Sequence, residues 1–437
     1  MTVRQTTRKF AFGLVAALAF GTLLIAAGTV YWDLSPGKLI NQTFRIVAAH
    51  GLNVVYQDDS RQVEQIRSAY IHPEGALTGP GPSGRAALDA VERQIPHFRW
   101  VVDNPTGLGP ISPFIYEQYD AQFLQTYREK NRIEVMAAAA ASEYEAMLAV
   151  AAWVGTRFDH GPNTLGPRKK YDPQTIVQKG ADGQAFWCEV AAILMVQTAT
   201  AMAWPARLVT LSRNGYKWEH GVAELWSNQF DKWFVIDTDF NVTYTANGTP
   251  LSAYELCHRG PALQAGGRLV VHRIAPLKPS LNEIDMVPYY RYVSIDLRND
   301  WYSRRLRRGS PAGGDLATWW TARPDIDRLL TAKVRVDDQE TFDWPVNWVE
   351  VVGAQVQQNA DGATMLRLLF AGYVPYFVNF QVAVDEGRWE NIENHDYLWE
   401  LAPGRHCLKA RALTAMGWHG PERKMCYRFD GFVARNR

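Results

Sequence analysis

The spacing of apolar residues predicts helices and strands in the middle of the chain. Over 142–158 they recur at helical spacing, with Ser142 as the N-cap and Glu145 three residues later completing a capping box. A second helix is predicted over 189–203, a run rich in Ala, Ile, Leu and Met that stops before Pro205. Strands are predicted to follow at 207–211, 221–226 and 233–238.

Turn-rich segments divide the rest of the chain. A mixed α/β region with many Pro and Gly residues, and a short helix over 86–94, precedes the central part. A Pro- and Gly-rich connector follows the central part, and strand-like segments separated by turns occupy the C-terminal hundred residues. The pattern predicts an α+β fold divided into the regions 1–33, 34–137, 138–275, 276–330 and 331–437.

The first region has the pattern of a membrane anchor. Arg4, Arg8 and Lys9 precede an uncharged, largely apolar stretch over 10–32. That stretch matches the roughly 20 residues that span a bilayer and exceeds the apolar core of about 7–15 residues in a cleaved signal peptide. A cleaved signal, using the small residues 26–28, and a buried globular helix are the alternatives. Because basic residues stay on the cytoplasmic side, a single-pass anchor would place the main domains in the periplasm or outside the cell.

Composition narrows the function classes. The formal net charge is +1 over 437 residues, which disfavours general nucleic-acid binding. Sixteen Trp and nineteen Tyr suit β-rich packing and faces that bind sugars or peptides. The four cysteines form no CxxC pair and there is no HExxH motif, so neither a metal site nor a cofactor is expected.

Three residues in the central region carry the chemistry of a nucleophilic site. Cys188 stands where the second helix begins, and the partial positive charge of a helix N-terminus stabilises a thiolate. His220 opens one strand and Asp237 lies within the next, and a hairpin about 228–232 would bring them to one end. A thiol, an imidazole that shares its proton and a carboxylate that orients the imidazole are the parts of a catalytic triad.

These segments resemble the transglutaminase-like superfamily. The resemblance rests on GQAFWC at 183–188, WPARLV at 204–209, HGVAELW at 220–226 and WFVIDT at 233–238. It implies a papain-like core, in which the helix carrying the cysteine packs on an antiparallel sheet, and a thioester mechanism acting on amide bonds. Protease, amidase, deamidase and amine-transfer reactions all remain open.

Two further residues are candidates for contacting substrate or an oxyanion. They are Gln184 and Trp187, with backbone N–H groups as the alternative donors. Glu189 follows the cysteine where the family's best-known enzymes have an aromatic residue, so the acyl-donor preference is left open.

The C-terminal region resembles an immunoglobulin-like or fibronectin type III sandwich near its last hairpin. Cys407 and Cys426 are equally distant from a hairpin centre between residues 416 and 417, which would place them opposite each other. An exported protein favours a disulfide there, and two separate core thiols are the alternative.

The sequence therefore predicts an exported, membrane-anchored cysteine enzyme that acts on a peptide or protein substrate. The alternative is a non-catalytic, membrane-tethered module that binds peptide or glycan in cell-envelope assembly. A basic cluster over 304–308 suits either a solvated loop or contact with anionic lipid or a cell-surface glycan.

Overall fold

The computed structural model describes most of the residues from 84 onward. The described residues are 70–71, 84–104, 112, 114–165, 171–215, 217–303, 318–323, 334–392 and 395–431. The predicted anchor at 10–32 and the basic cluster at 304–308 lie outside them. Within these ranges, no helix combines the length and apolar character required to cross a membrane.

The described residues form helices and strands that mostly match the sequence pattern. The α-helices are α1 Gly84–Gln94, α2 Gln122–Lys130, α3 Ile133–Ala138, α4 Glu143–Gly155, α5 Pro173–Ala181, α6 Cys188–Ala201, α7 Ala253–Ala265 and α8 Gln339–Phe342. The first ten strands are β1 Tyr70–Ile71, β2 Phe98–Asn104, β3 His160–Asn163, β4 Ala206–Ser212, β5 His220–Ser227, β6 Lys232–Asp237, β7 Val242–Ala246, β8 Thr249–Pro250, β9 Leu269–Arg273 and β10 Tyr292–Asp296. The others are β11 Thr318–Ala322, β12 Val334–Arg335, β13 Trp348–Gln358, β14 Thr364–Tyr373, β15 Phe377–Val384, β16 Glu390–Ile392, β17 Asp396–Glu400, β18 Gly404–Thr414 and β19 Arg423–Phe429, and two 3₁₀ turns occupy Val287–Arg291 and Ala415–Gly417.

The fold is α+β, and eighteen of the nineteen described strands lie in three sheets that are antiparallel at almost every pairing, while β3 belongs to none of them. The largest has nine strands in the order β12-β11-β10-β4-β5-β6-β7-β8, with β9 also paired to β7. A four-stranded sheet contains β1, β14, β13 and β17, and a five-stranded sheet has the order β16-β15-β18-β19-β2. Only the β11–β12 pairing in these sheets is parallel.

Helix α6 lies at the centre of the larger unit. Every residue of α6 except Glu189 is buried, as expected for a helix that is apolar on all sides. One face of the nine-stranded sheet packs on it through residues such as Leu208, Ala223 and Ile236, and α2, α4 and α5 cover its other sides. The alternate residues of the same strands point into a second core with α7.

Helix α4 begins at the predicted N-cap. The Ser142 side chain accepts a hydrogen bond from the Glu145 N–H at 3.3 Å. The predicted capping box was wrong in one detail, because the Glu145 carboxylate accepts from the Ala141 N–H instead of the Ser142 N–H.

The C-terminal unit consists of the two smaller sheets packed face to face around one core. The described residues of the region 34–137 are shared between two cores: α1 and β2 belong to this one, and β2 pairs with β19. Pairing with β2 satisfies the edge of β19 that would otherwise present unpaired backbone groups. Helices α2 and α3 belong to the core around α6 instead.

The region 276–330 also differs from the predicted connector. Strand β10 pairs with β4 and β11 pairs with β10, so both extend the nine-stranded sheet. Strand β10 joins the sheet because Val293 and Ile295, at alternate positions along it, bury their side chains completely in the sheet core.

A buried arginine connects the nine-stranded sheet to the segment that leads into the C-terminal unit. The Arg207 guanidinium donates to Glu224 Oε2, to Phe342 O and to Asp343 Oδ1, each at 2.7 Å. It also stacks on the Trp233 ring, with 4.4 Å from Cζ to the centroid. A buried charge is tolerated only when its donors and acceptors are paired in this way.

We expect Arg207→Met to lower the free energy of unfolding by about 3–5 kcal/mol, because it leaves two carboxylates without their buried cation. Urea denaturation of the full-length protein measures this. Arg213, whose pair with Glu219 lies at the surface, provides the control, since Arg213→Met should leave the denaturation midpoint almost unchanged. Equal denaturation midpoints for the two variants would contradict the role of Arg207 as a buried cation that stabilises the fold.

Candidate active site

Cys188 is the first residue of α6, and the segment before it is fixed by β3. Trp187 is the N-cap, with an extended backbone. Its N–H donates to Asn163 O at 2.9 Å, and the Phe186 N–H donates to Asp159 O at 3.0 Å. The thiol therefore lies at the positive end of a buried helix, on a backbone that neighbouring segments hold in place.

Strand β5 passes directly over the first turn of α6. A Cβ added at Gly221 would lie 3.1 Å from Glu189 Cα and 3.7 Å from the Cys188 carbonyl carbon. Glycine thus permits the close approach of strand and helix. His220 precedes this glycine, and one of its ring nitrogens lies within 4.8 Å of Cys188 Sγ.

The Asp237 carboxylate is fully buried and holds the ring of His220. Its Oδ2 lies 2.7 Å from His220 Nε2. Its Oδ1 accepts from the N–H groups of Asp239 and Phe240, each at 2.9 Å. Because Asp237 occupies Nε2, Nδ1 is the ring nitrogen left to face Cys188.

The surroundings favour the charged form of His220. Burial by itself lowers the pKa of the imidazole. The charge and hydrogen bond of Asp237, together with the neighbouring Cys188, raise that pKa by more than burial lowers it. The net result is a pKa of His220 well above its ordinary value. An imidazolium beside the thiol is the partner that a thiolate requires.

A second carboxylate, which the sequence analysis did not single out, stands beside the triad. Asp239 Oδ2 lies 2.8 Å from His160 Nδ1, and Asp239 Oδ1 lies 3.2 Å from Lys278 Nζ. Burial raises the pKa of Asp239, but His160, Lys278 and His220 outweigh it and lower the pKa below its usual range. Asp239 could have been identified from the sequence, because it stands two residues after Asp237 in an Asp-Thr-Asp run. Lys278 is distant in sequence, and no local pattern identifies it as part of the site.

This second carboxylate completes a set of atoms that could hold a metal ion. Cys188 Sγ, a ring nitrogen of His220 and a carboxylate oxygen of Asp239 all lie within 4.8 Å of one another, and all three residues are buried. A sulfur, a nitrogen and an oxygen are ligands that zinc accepts. The sequence predicted no metal site because it has no CxxC or HExxH motif, and that prediction did not consider Asp239.

Aromatic side chains surround the imidazole. The Phe240 ring stands edge-on to His220 with 5.4 Å between centroids, and the Tyr289 ring does so at 6.3 Å. Arg213 lies over the outer side of Tyr289, at 4.6 Å from the ring centroid. The Trp187 side chain, next to the thiol in sequence, is 47% exposed. These surfaces suit contact with an extended polypeptide or a flat, partly apolar group.

The other predicted residues lie in different settings. The backbone N–H of Trp187 is bound to Asn163 O, so it is not an oxyanion donor, whereas its exposed indole is available for contact with substrate. Gln184 is half-buried in the loop before α6, and its N–H donates to Lys179 O at 2.9 Å. Among the residues that the structure describes, no hydrogen bond joins Gln184 to Cys188.

Cysteines outside the site have other roles. Cys407 and Cys426 are directly opposite each other in the β18–β19 pairing and form a disulfide. Cys257 is a buried thiol in α7 that contacts Arg291 O at 3.7 Å.

A separate cavity of about 560 Å³ opens between α4 and strands β7 and β9. Its lining includes Leu148, Thr245, His272 and Arg273 but no residue of the triad. We assign the chemistry to the Cys188 cluster, because nucleophile, base and carboxylate meet there. The polar side chains of the cavity already have partners, as Thr245 does in His272 and Arg273 does in Phe240 O.

Comparisons with known proteins add no family assignment: the sequence matches no protein-family model and no curated protein.

We expect Gly221→Ala to slow alkylation of Cys188 by iodoacetamide severalfold. The added methyl group must push β5 away from α6, which separates His220 from the thiol while the fold is retained. Peptide mapping after timed labelling measures the rate at each cysteine.

Gly260→Ala is the matched control, since its Cβ would make an ordinary 3.5 Å contact with Val287. An alkylation rate of Cys188 that is the same in Gly221→Ala and in the wild type would show that the close approach of β5 has no part in positioning the imidazole.

Proposed function

We propose that the protein is a transglutaminase-like cysteine enzyme that acts on amide carbonyls through a thioester. One observation carries the proposal: Cys188, at the start of a buried helix, has its sulfur within 4.8 Å of a ring nitrogen of His220, and the buried Asp237 holds the imidazole through Nε2. Such a series of contacts activates a thiol and returns a proton to a leaving group.

The reaction follows from these positions. The Cys188 sulfur attacks the carbonyl carbon of the substrate while His220 holds the proton that the thiol has lost. When the tetrahedral intermediate collapses, His220 gives this proton to the departing amine, and the acyl group remains on sulfur as a thioester. Water or a second amine then attacks the thioester, His220 removes its proton, and the thiol is restored.

The developing oxyanion requires a hydrogen-bond donor. The N–H of Cys188 lies in the first turn of α6, where helix geometry provides no acceptor within the helix. We assign this N–H as a donor to the oxyanion. Gln184 remains a further candidate, and the exposed indole of Trp187 is the proposed contact for the acyl donor.

The surrounding fold supports the family proposal. Helix α6 packs on β4 and β5 of an antiparallel sheet, and the three functional residues lie at the helix start, at a strand start and at a strand end. This order is the one that the resemblance implied. The C-terminal pair of sheets is compatible with the proposed immunoglobulin-like sandwich.

Location and substrate are also proposals. A disulfide at Cys407–Cys426 supports an oxidising compartment, which agrees with export and with a single-pass anchor at 10–32. We propose a peptide or protein substrate, because the aromatic surfaces around His220 suit an extended polypeptide. A cell-surface glycan is the proposed additional contact of the C-terminal unit.

The central test is formation of an acyl-enzyme. The full-length protein, treated with an activated acyl ester, should gain one acyl group at Cys188, found by intact mass and peptide mapping and released by hydroxylamine. We expect Cys188→Ala to abolish the adduct and His220→Ala to slow its formation by about 10²–10⁴-fold, because the general base is lost. Ammonia release and amine incorporation from peptide amides then separate hydrolysis from transfer.

Cys257→Ala is the control and should acylate at the wild-type rate, because this buried thiol lies outside the site. Acylation that persists in Cys188→Ala would refute the assignment. A wild-type protein that is never acylated, yet binds peptide or glycan, would favour the non-catalytic binding module.

A further inference from the structure

We infer that Cys188, His220 and Asp239 bind one soft divalent cation, with zinc the best match, in place of substrate. The three residues offer one sulfur, one nitrogen and one oxygen atom, all within 4.8 Å of one another. Three protein ligands with an open fourth position are a recurrent zinc arrangement. This inference does not depend on the enzymatic activity proposed above.

The separations are close to those that a metal requires. Zinc bonds of about 2.0–2.3 Å in a tetrahedron place the ligand atoms roughly 3.3–3.8 Å apart. The three side chains therefore need to close by about 1.5 Å at most. The thiolate makes the site selective for soft cations, whereas magnesium and calcium prefer all-oxygen ligand sets.

The groups behind the ligands also suit a metal. A histidine that binds zinc usually donates its other ring N–H to a carboxylate, and Asp237 Oδ2 lies 2.7 Å from His220 Nε2. Nδ1 is then the nitrogen directed at the cation. Asp239 is oriented from the other side by His160 and Lys278, and each carboxylate oxygen keeps a second lone pair.

Lys278 sets the strength of binding. A doubly charged cation neutralises the thiolate and the Asp239 carboxylate, so the buried Lys278 ammonium, 3.2 Å from Asp239, becomes a repulsive neighbour. Reversible binding is the consequence. The His160 side chain is 30% exposed, so solvent approaches within one hydrogen bond of Asp239 and provides a path for entry.

Occupancy by the cation would block the proposed thiol chemistry, because sulfur and Nδ1 are the atoms that attack and carry the proton. Binding releases to solvent the one proton that Cys188 and His220 share, which frees both the sulfur and Nδ1 to bond the metal with no change in oxidation state. A cation here would also shield Cys188 from alkylating agents until a chelator removes it.

The test measures binding directly in the full-length protein. Zinc affinity is determined by competition with a chromophoric chelator, and Co²⁺ is added as a spectroscopic probe of sulfur ligation. We expect one zinc per molecule and a thiolate-to-cobalt charge-transfer band. Asp237→Asn should weaken binding by about 10–100-fold, because the orientation of the His220 ring is lost.

Two isosteric or nearly isosteric variants separate this site from chance binding at a thiol. Asp239→Asn should weaken zinc binding at least about tenfold, and Cys188→Ser should remove the charge-transfer band. Lys278→Met should tighten binding by roughly tenfold or more, since a repulsive charge is removed. Cys257→Ala should bind as the wild type does.

Unchanged zinc affinity in Asp239→Asn, a cobalt band that survives in Cys188→Ser, or no stoichiometric binding by the wild type would each overturn the inference. Acylation of Cys188 is measured separately in metal-free buffer, so a failure of the metal site and a failure of the proposed enzyme would be distinguished.

Discussion

The buried carboxylate of Asp237 is the constraint on which the rest of the site depends. A charge removed from water must be paired and hydrogen-bonded, and three donors meet this need: two backbone N–H groups of the turn that follows β6 and the ring of His220. The turn fixes the carboxylate, the carboxylate fixes the imidazole, and the imidazole faces the thiol at the start of α6. Gly221 is also required, because β5 approaches α6 closely enough to bring His220 to the thiol only where β5 has no side chain.

The larger fold keeps these parts in register. Arg207 joins the nine-stranded sheet to the segment before the C-terminal unit. At the far end of α6, the Trp418 indole donates to Met202 O at 3.1 Å and packs on Trp204. The C-terminal unit therefore buttresses the helix that carries the nucleophile at the end opposite to the chemistry. We interpret it as part of the scaffold of the site.

Local patterns made the central part of the sequence predictable, and long-range pairing made the rest unpredictable. The hairpin forms with Ala223 opposite Ile236, which brings Asp237 to the same end as His220, as the turn at 228–232 predicted. Strand β2 joins a strand more than 300 residues away, and β10 joins β4 although five strands and α7 lie between them in sequence. Nothing in the local sequence of either strand names its partner. The contact between Lys278 and Asp239 could not be predicted either, because Lys278 lies in a Pro-rich segment distant in sequence.

The central claim is that Cys188, His220 and Asp237 act as one nucleophilic unit. Its most direct test is the rate of iodoacetamide alkylation at Cys188, at neutral pH in metal-free buffer, for the full-length wild type beside His220→Ala and Asp237→Asn, with labelling of Cys257 as the internal reference. The account predicts that Cys188 reacts much faster than Cys257 in the wild type and that both variants lose most of this advantage. A Cys188 rate that is slow in the wild type, or equally fast in all three proteins, would contradict it.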